Sequence, residues 1–285
     1  MEGHSRCRLI GATAAVAAAM AAAGSAASAG HVTQTGTFAL LDGTPKIVSK
    51  LWTLPPAGAD ATIKVRQYEL DGKPILDYEV DMQKLMHMVI VRDDFATFAH
   101  LHPAFDTTTG TFAQQFSKAP NHRYYVYADT TPRGVAQQVF RFTLGSDGPA
   151  STASFDTAAS APEVTAGPYA VSLSRTTLAA DTPQRLDVTV RKNGKPAQDL
   201  GTYLGAAAHA VFINTSTLAY VHVHPRVLGA QSSMNDGMAM GMSGIAGPFM
   251  RMSLPPLPAA SYKLWIQFRG ANDVVYTAPF TLVAR

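Results

Sequence analysis

Six of the nine histidines form two triplets with the same spacing, H-x12-H-x-H-P. The first triplet is His87, His100 and His102, and the second is His209, His222 and His224. Three neutral imidazoles suit Cu(II), Zn(II) or Ni(II) by ligand type. The spacing therefore predicts a metal site in each triplet. The alternative is that the histidines are buried and hydrogen-bonded to strand carbonyls.

The triplets belong to a longer internal repeat. A shift of 122 residues places Gly72-Lys73-Pro74 on Gly194-Lys195-Pro196 and keeps all three histidines in register. Such retention within one chain indicates two copies of one structural unit, each with its own candidate ligands.

A β-hairpin would bring the members of each triplet together. If residues 85–91 and 95–102 pair around a turn at Asp93-Asp94, His87 lies directly opposite His100. His102 then shares their face, because side chains alternate along a strand. The equivalent hairpin, with Thr215-Ser216 in the turn, places His209 opposite His222. We expect only this register to bring the three rings of a triplet together.

The methionines bear on the choice of metal. Thioether sulfur is a soft ligand that selects Cu(I) over zinc. A Gly-rich insertion of about sixteen residues follows the second triplet and supplies the candidate ligands Met234, Met238, Met240 and Met242. Its alternative roles are a surface loop or an adaptable hydrophobic contact. Met86 and Met88 lie on the strand face opposite His87 and predict core packing instead.

Composition excludes several classes of protein. The 285 residues carry a formal net charge of only +3, with no basic stripe of the kind that binds nucleic acid. The single cysteine, Cys7, excludes both a disulfide framework and a cysteine metal site. Beyond the N-terminal segment no run of eighteen apolar residues predicts a membrane span.

The first 29 residues have the features of a secretory signal peptide. Arg6 and Arg8 precede an Ala-rich apolar stretch, and Ala27-Ser28-Ala29 fits the small-x-small cleavage rule. We therefore expect a periplasmic or secreted protein. Cleavage there would leave His31 beside the new amino terminus, either as a Cu(II) ligand or as part of a tail.

The rest of the chain has the pattern of an all-β protein. Short runs rich in Val, Ile, Tyr and Phe alternate with turn residues. We expect two tandem antiparallel Ig-like or cupredoxin-like β-sandwiches over residues 30–144 and 168–285, joined by a Ser/Ala/Thr/Pro-rich linker over residues 145–167. Tyr124 and Tyr262 each end a P-x-x-x-Y motif, the position of a tyrosine corner.

One stretch of the second repeat resembles a known family. Thr202-Tyr203-Leu204-Gly205-Ala206 leads to His209, and His222-Val223-His224-Pro225 follows. This pattern resembles the YtkA-like exported proteins with an immunoglobulin/cupredoxin-like fold, which are associated with copper handling. The first repeat departs from it with Met82-Gln83-Lys84. A weaker likeness is to copper-resistance protein C.

These observations favour a periplasmic copper-binding protein that buffers, sequesters or transfers copper. Its partners would be metal ions and a copper efflux or delivery protein. An enzyme is disfavoured because no acidic residue shared by both repeats lies near a triplet. Two alternatives stay open: a zinc hydrolase with three histidine ligands, and a metal-free scaffold or adhesion protein.

Overall fold

A computed structural model of the protein describes residues 33–54, 60–119, 122–145, 156–229 and 246–285. The predicted signal peptide, the Met-rich insertion and residues 146–155 of the predicted linker lie outside these residues. Within the described ranges the structure is almost entirely β, with one short 3-10 helix at Ala271–Asp273. No helix in these ranges has the length and hydrophobicity that crossing a bilayer requires.

The first sandwich consists of two antiparallel five-stranded sheets. Its outer sheet has the order β1-β3-β4-β8-β7, and its inner sheet has the order β2-β10-β9-β5-β6. The strands are β1 (Gln34–Thr35), β2 (Thr37–Phe38), β3 (Val48–Leu54), β4 (Asp60–Tyr68), β5 (Met86–Arg92), β6 (Phe98–Leu101), β7 (Ala104–Asp106), β8 (Thr111–Ser117), β9 (Arg123–Thr130) and β10 (Gln138–Gly145).

The second sandwich repeats this plan. Its outer sheet has the order β11-β12-β14-β19-β18, with β15 paired to β14, and its inner sheet has the order β13-β21-β20-β16-β17. The strands are β11 (Glu163–Ala166), β12 (Tyr169–Leu173), β13 (Thr177–Leu178), β14 (Gln184–Lys192), β15 (Lys195–Pro196), β16 (His209–Asn214), β17 (Tyr220–Val223), β18 (Arg226–Val227), β19 (Phe249–Leu254), β20 (Ala260–Arg269) and β21 (Val275–Ala284).

The predicted fold class, two tandem β-sandwiches, is confirmed. Pairing is antiparallel except between β13 and β21, which run parallel. The second sandwich begins earlier than expected, because β11 occupies residues 163–166 of the predicted linker. The Ser/Thr/Ala-rich composition of the linker did not predict this short strand, which pairs with β12 at the edge of the outer sheet.

The tyrosine corners fall where the P-x-x-x-Y motifs predict them. The Tyr262 hydroxyl donates to the Pro258 carbonyl oxygen at 2.8 Å, and the Ala119 N–H donates to the Tyr124 hydroxyl at 3.0 Å. Each bond ties the chain before an inner-sheet strand, β20 or β9, to the strand itself.

The two inner sheets are buried on both faces, unlike the outer sheets. β3 and β4 alternate between buried and partly exposed residues, as expected for a sheet with one solvated face. In contrast, β16 is buried at every position and β5 at every position but its last. One face of β5 packs in its own sandwich through Met86, Met88 and Ile90, which confirms the core role of the two methionines.

The second face of each inner sheet packs against the other sandwich. A third hydrophobic core joins the halves, and it includes Val89 and Val91 of β5 with Val211 and Ile213 of β16. Two aromatic stacks extend it: Phe98 on Trp265, with centroids 4.7 Å apart, and Tyr127 on Tyr220, 5.2 Å apart. The layers therefore run outer, inner, inner, outer, within one compact unit.

The predicted hairpin register is wrong by two residues in both repeats. His100 pairs with Val89 and His222 with Val211, rather than with His87 and His209. The reason is a longer turn: the Arg92 N–H donates to the Thr97 carbonyl oxygen at 3.1 Å, so residues 93–96 form the loop. A shift of two residues keeps every side chain on its original face, so the rings still converge.

The packing between the inner sheets predicts a large loss of stability in Trp265→Ala. Trp265 is only 4% exposed and stacks between the halves. Its truncation should lower the free energy of unfolding by about 3–5 kcal/mol, measured by chemical denaturation with circular dichroism. The matched control is Trp52→Ala on outer strand β3, where we expect about 1 kcal/mol because that side chain is partly exposed. Equal losses in the two variants would contradict this account of the interface.

Candidate metal centre

The two histidine triplets meet in one cluster between the sandwiches. All six histidines lie on strands of the inner sheets or directly after them, and we call them the histidine cluster. The His87 ring centroid lies 5.1 Å from that of His100 in its own half and 5.1 Å from that of His222 in the other. The His100 and His209 centroids are 5.4 Å apart. Separations across the interface thus equal those within a triplet.

Two groups of histidines have ligand nitrogens close enough to hold an ion. The atoms of each group lie within 4.8 Å of one another: His87, His100 and His209 in one group, His209, His222 and His224 in the other. The second group is the predicted second triplet. The first group differs from the predicted first triplet, because His209 of the other half takes the place of His102. Either group could hold a metal ion.

Two matching tight turns fix the orientation of the innermost histidines. Residues 81–84 and 203–206 each form a two-residue turn closed by a reciprocal pair of backbone hydrogen bonds. Both central residues of each turn have positive φ, as in a type I′ turn, and Gly205 supplies one of them at φ 81°. Each turn directs its first carbonyl oxygen at a histidine, Asp81 O at His87 and Tyr203 O at His209, both at 3.1 Å.

These carbonyl contacts determine which ring nitrogen carries the proton. A carbonyl oxygen can only accept, so His87 and His209 must donate from Nε2, which leaves a lone pair on each Nδ1. His100 Nδ1 faces the Gln267 Oε1 atom at 3.0 Å, and His222 Nδ1 faces the Asp129 Oδ2 atom at 3.3 Å. When these two oxygens accept the ring N–H groups, the Nε2 atoms of His100 and His222 also carry lone pairs.

The four lone pairs face each other in two close contacts. His87 Nδ1 lies 2.9 Å from His100 Nε2, and His209 Nδ1 lies 3.2 Å from His222 Nε2. Two nitrogens bound to one ion at about 2.0–2.1 Å are separated by roughly 2.9–3.4 Å at bond angles of about 90–109°. Two acceptors at this distance repel unless a cation lies between them, so the geometry fits a metal ion in each half.

The third histidine of each triplet adds an unsatisfied nitrogen. His102 Nε2 and His224 Nε2 are buried atoms that have no hydrogen-bond partner among the described residues. Buried polar atoms of native proteins are nearly always paired, and a bound ion is one recognised explanation for an exception. These two rings lie 4.8 Å from His100 and 4.6 Å from His222, respectively, between centroids.

Two orienting residues, Asp129 and Gln267, were missed by the sequence prediction. Asp129 pairs with His87 across β9 and β5, and Gln267 pairs with His209 across β20 and β16. Each side chain nevertheless bonds a histidine of the other half, His222 or His100. A signal did exist: the 138-residue shift that superimposes Tyr124 on Tyr262 also places Asp129 on Gln267.

Residues 48–148 and 163–285 match the family described as Domain of unknown function (DUF8832). The chain belongs to this family. Each matched segment contains one histidine triplet. The first segment begins at β3 and the second at β11. No curated protein sequence matches the chain.

Burial keeps the cluster in the neutral form that can bind a metal. Desolvation lowers the pKa of His209 to about 2 and that of His102 to about 4, with help from neighbouring imidazoles. The same cause lowers the pKa of His100 and His222 well below the usual value, and lowers that of His224. Burial raises the pKa of the Asp129 carboxyl group, which is 3% exposed.

The predicted methionine ligands cannot be placed beside the cluster. Met234, Met238, Met240 and Met242 lie outside the described residues. The following methionines, Met250 and Met252, are fully buried on β19 in the core of the second sandwich. They are therefore packing residues, as Met86 and Met88 are in the first sandwich.

The lowered histidine pKa values predict that the metal-free protein loses stability in mild acid. Below about pH 6.5 the histidines of the unfolded chain bind protons, whereas the five buried histidines with lowered pKa values stay neutral in the folded protein. Stability is complete above pH 6.5 and falls as the pH drops towards 5, by up to about 1.4 kcal/mol per pH unit for each such histidine. Urea denaturation of chelator-treated protein at pH 7.5, 6.5 and 5.5 measures this.

The control for the acid effect is His102→Gln/His224→Gln, which removes two of the five titrating groups and should flatten the dependence. Asp129 opposes the trend below its raised pKa, because there the folded state takes up the proton more readily than the unfolded chain. A free energy of unfolding that stays constant from pH 7.5 to 5.5 would contradict the burial of neutral imidazoles.

Proposed function

We propose that this protein is an exported copper-binding protein that buffers, sequesters or transfers copper. The observation that supports it most directly is the pair of close contacts between unprotonated imidazole nitrogens. In each of these four rings the other nitrogen faces an oxygen acceptor, which fixes the orientation of the ring. Histidine ligands of metals show this same arrangement, with the second ring N–H donated to a carbonyl or a carboxylate.

Copper is favoured among the metals that imidazole binds. In sites of nitrogen ligands Cu(II) binds more tightly than the other divalent first-row ions, including zinc. The insertion adds four candidate soft ligands, Met234, Met238, Met240 and Met242. Thioether sulfur binds Cu(I) well and zinc poorly. The resemblance of residues 202–225 to YtkA-like exported proteins points the same way.

The enclosure of the cluster supports storage or transfer rather than catalysis. The side chains of His87 and His222 are 2% and 1% exposed, and His209 is 1% exposed. A catalytic metal needs an open coordination position that a substrate can reach. Here the partly exposed His102 and His224 border the buried rings and would be the first ligands to meet an arriving ion.

Export is supported by the N-terminal segment alone. Arg6 and Arg8, the apolar stretch and Ala27-Ser28-Ala29 predict a cleaved signal peptide. In the periplasm or outside the cell the partners would be copper ions and a copper efflux or delivery protein. His31 would then lie at or beside the mature amino terminus and offer a further nitrogen donor.

The first test is elemental analysis of the untagged mature chain after exposure to copper. We expect copper in the wild type and the loss of at least half of it in His209→Ala, because both candidate ligand groups contain His209. The matched control is His122→Ala, which lies seven residues before Asp129 and outside the cluster, and should retain the wild-type copper content. Circular dichroism of each variant verifies that the fold is intact.

Other outcomes of this test identify the alternatives. No metal above background in the wild type would leave a metal-free scaffold. Zinc retained in preference to copper would instead favour a zinc enzyme and would call for hydrolase assays. Loss of half of the copper in His209→Ala would indicate one ion in each half, and near-complete loss would indicate that both ions depend on His209.

A further inference from the structure

The two halves of the histidine cluster share the same main elements. Each half has a tight turn that aims a carbonyl oxygen at the first histidine, a close contact between lone pairs, and a third histidine with an unpaired Nε2. The turns differ in their first residue, because the half-exposed Asp81 carboxylate lies 3.9 Å from His87 Nε2 where the second half has Tyr203. The buried difference is the residue that crosses from the opposite half. His222 is oriented by the Asp129 carboxylate, whereas His100 is oriented by the Gln267 amide.

We propose that the cluster holds two metal ions in sequence, and that Asp129 makes the half containing His222 the first to fill. This inference rests on the proposed function, because it concerns the same metal centre. It adds the number of ions, their order of binding and the residue that sets the order.

The number of donors requires more than one ion. Zinc is bound by four ligands in almost all structural sites, and copper sites hold a similarly small set. Six imidazoles converge here, and each half presents two facing lone pairs and one orphan nitrogen. Two ions with three nitrogen donors each would use all six histidines, whereas one ion would leave buried nitrogens without a partner.

Repulsion between the ions separates the two binding steps. The ring centroids of the two halves are as close as 5.1 Å for His87 and His222, so two ions in the cluster would lie a few ångströms apart. Like charges at this distance in a buried site repel strongly. The second ion therefore binds more weakly than the first, and any difference between the halves decides which one fills first.

Asp129 supplies that difference from a buried position, whereas water screens the half-exposed Asp81. The Asp129 carboxylate accepts from the Gln137 side-chain amide at 2.8 Å, the Tyr220 hydroxyl at 3.2 Å and His222 Nδ1 at 3.3 Å. Three donors directed at its two oxygens are the contacts that a buried anion requires. A carboxylate on the outer N–H of a ligating histidine makes the ligand more basic and also attracts the cation. The neutral Gln267 orients His100 without either effect.

The experiment is a titration of the metal-free mature chain with Cu(II) against a competing chelator, followed by optical absorption and electron paramagnetic resonance. We expect two binding steps in the wild type. Asp129→Asn keeps an oxygen that can accept from His222 but removes the charge, and should weaken the first step about 10–100-fold. The converse variant, Gln267→Glu, should tighten the second step so that the two steps approach each other.

The matched control is Asp187→Asn, which breaks an aspartate–arginine pair with Arg251 on the outer sheet and should leave both steps unchanged. The resonance signal per copper should fall at the second equivalent, because neighbouring Cu(II) ions couple. A single step with one copper, an unchanged first step in Asp129→Asn, or a signal that simply doubles would each overturn the inference. No copper binding by the wild type would instead overturn the proposed function.

Discussion

The face-to-face packing of the two inner sheets is the constraint on which the rest of this structure depends. Strands β5 and β16 carry aliphatic residues on both faces, and the second face has no place in its own sandwich. Burying it against the other half removes apolar surface from water, at about 25 cal/mol per Å². The same alternation that directs Val89 and Val211 into this interface also directs His87 and His209 there.

The polar part of the interface is tolerated because the apolar part holds it together. Facing acceptor nitrogens and orphan ring atoms are costly in a buried site without a cation. The aromatic stacks of Phe98 on Trp265 and Tyr127 on Tyr220 lie in the adjoining core and keep the halves together. Backbone contacts add to them: the Tyr220 N–H donates to the Ala39 carbonyl oxygen at 2.8 Å. The protein's own packing and backbone contacts therefore hold the histidine cluster in place.

Duplication explains both the symmetry of the centre and its buried departure from symmetry. Two copies of one unit, packed through the same sheet, bring equivalent side chains to a common axis, as in a two-fold dimer of separate chains. In such a dimer the two crossing residues would be identical. Within one chain they can diverge, and the pair Asp129 and Gln267 has done so. A single buried carboxylate then distinguishes two otherwise matching halves.

Sequence patterns alone predict most of the strands, the two sandwiches, the tyrosine corners and the face on which each histidine lies. These features are local, because they follow from a side-chain period of two and from turn residues. The register was wrong by two residues, since loop length was misjudged at residues 93–96, but a shift of two preserves the face. The continuous apolar runs around His87 and His209 are typical of strands that are buried on both faces. Such a run does not identify the surface that covers the second face.

Three features of the site depend on tertiary packing. The two triplets form one centre, and His209 joins the first group. Asp129 and Gln267 each contact a histidine of the other half. The tertiary structure also decided which ring nitrogens are free, because their partners include carbonyl oxygens of turns and side chains more than ninety residues away. Docking of one sandwich on another depends on the complementarity of two whole faces. No local pattern in the chain encodes it.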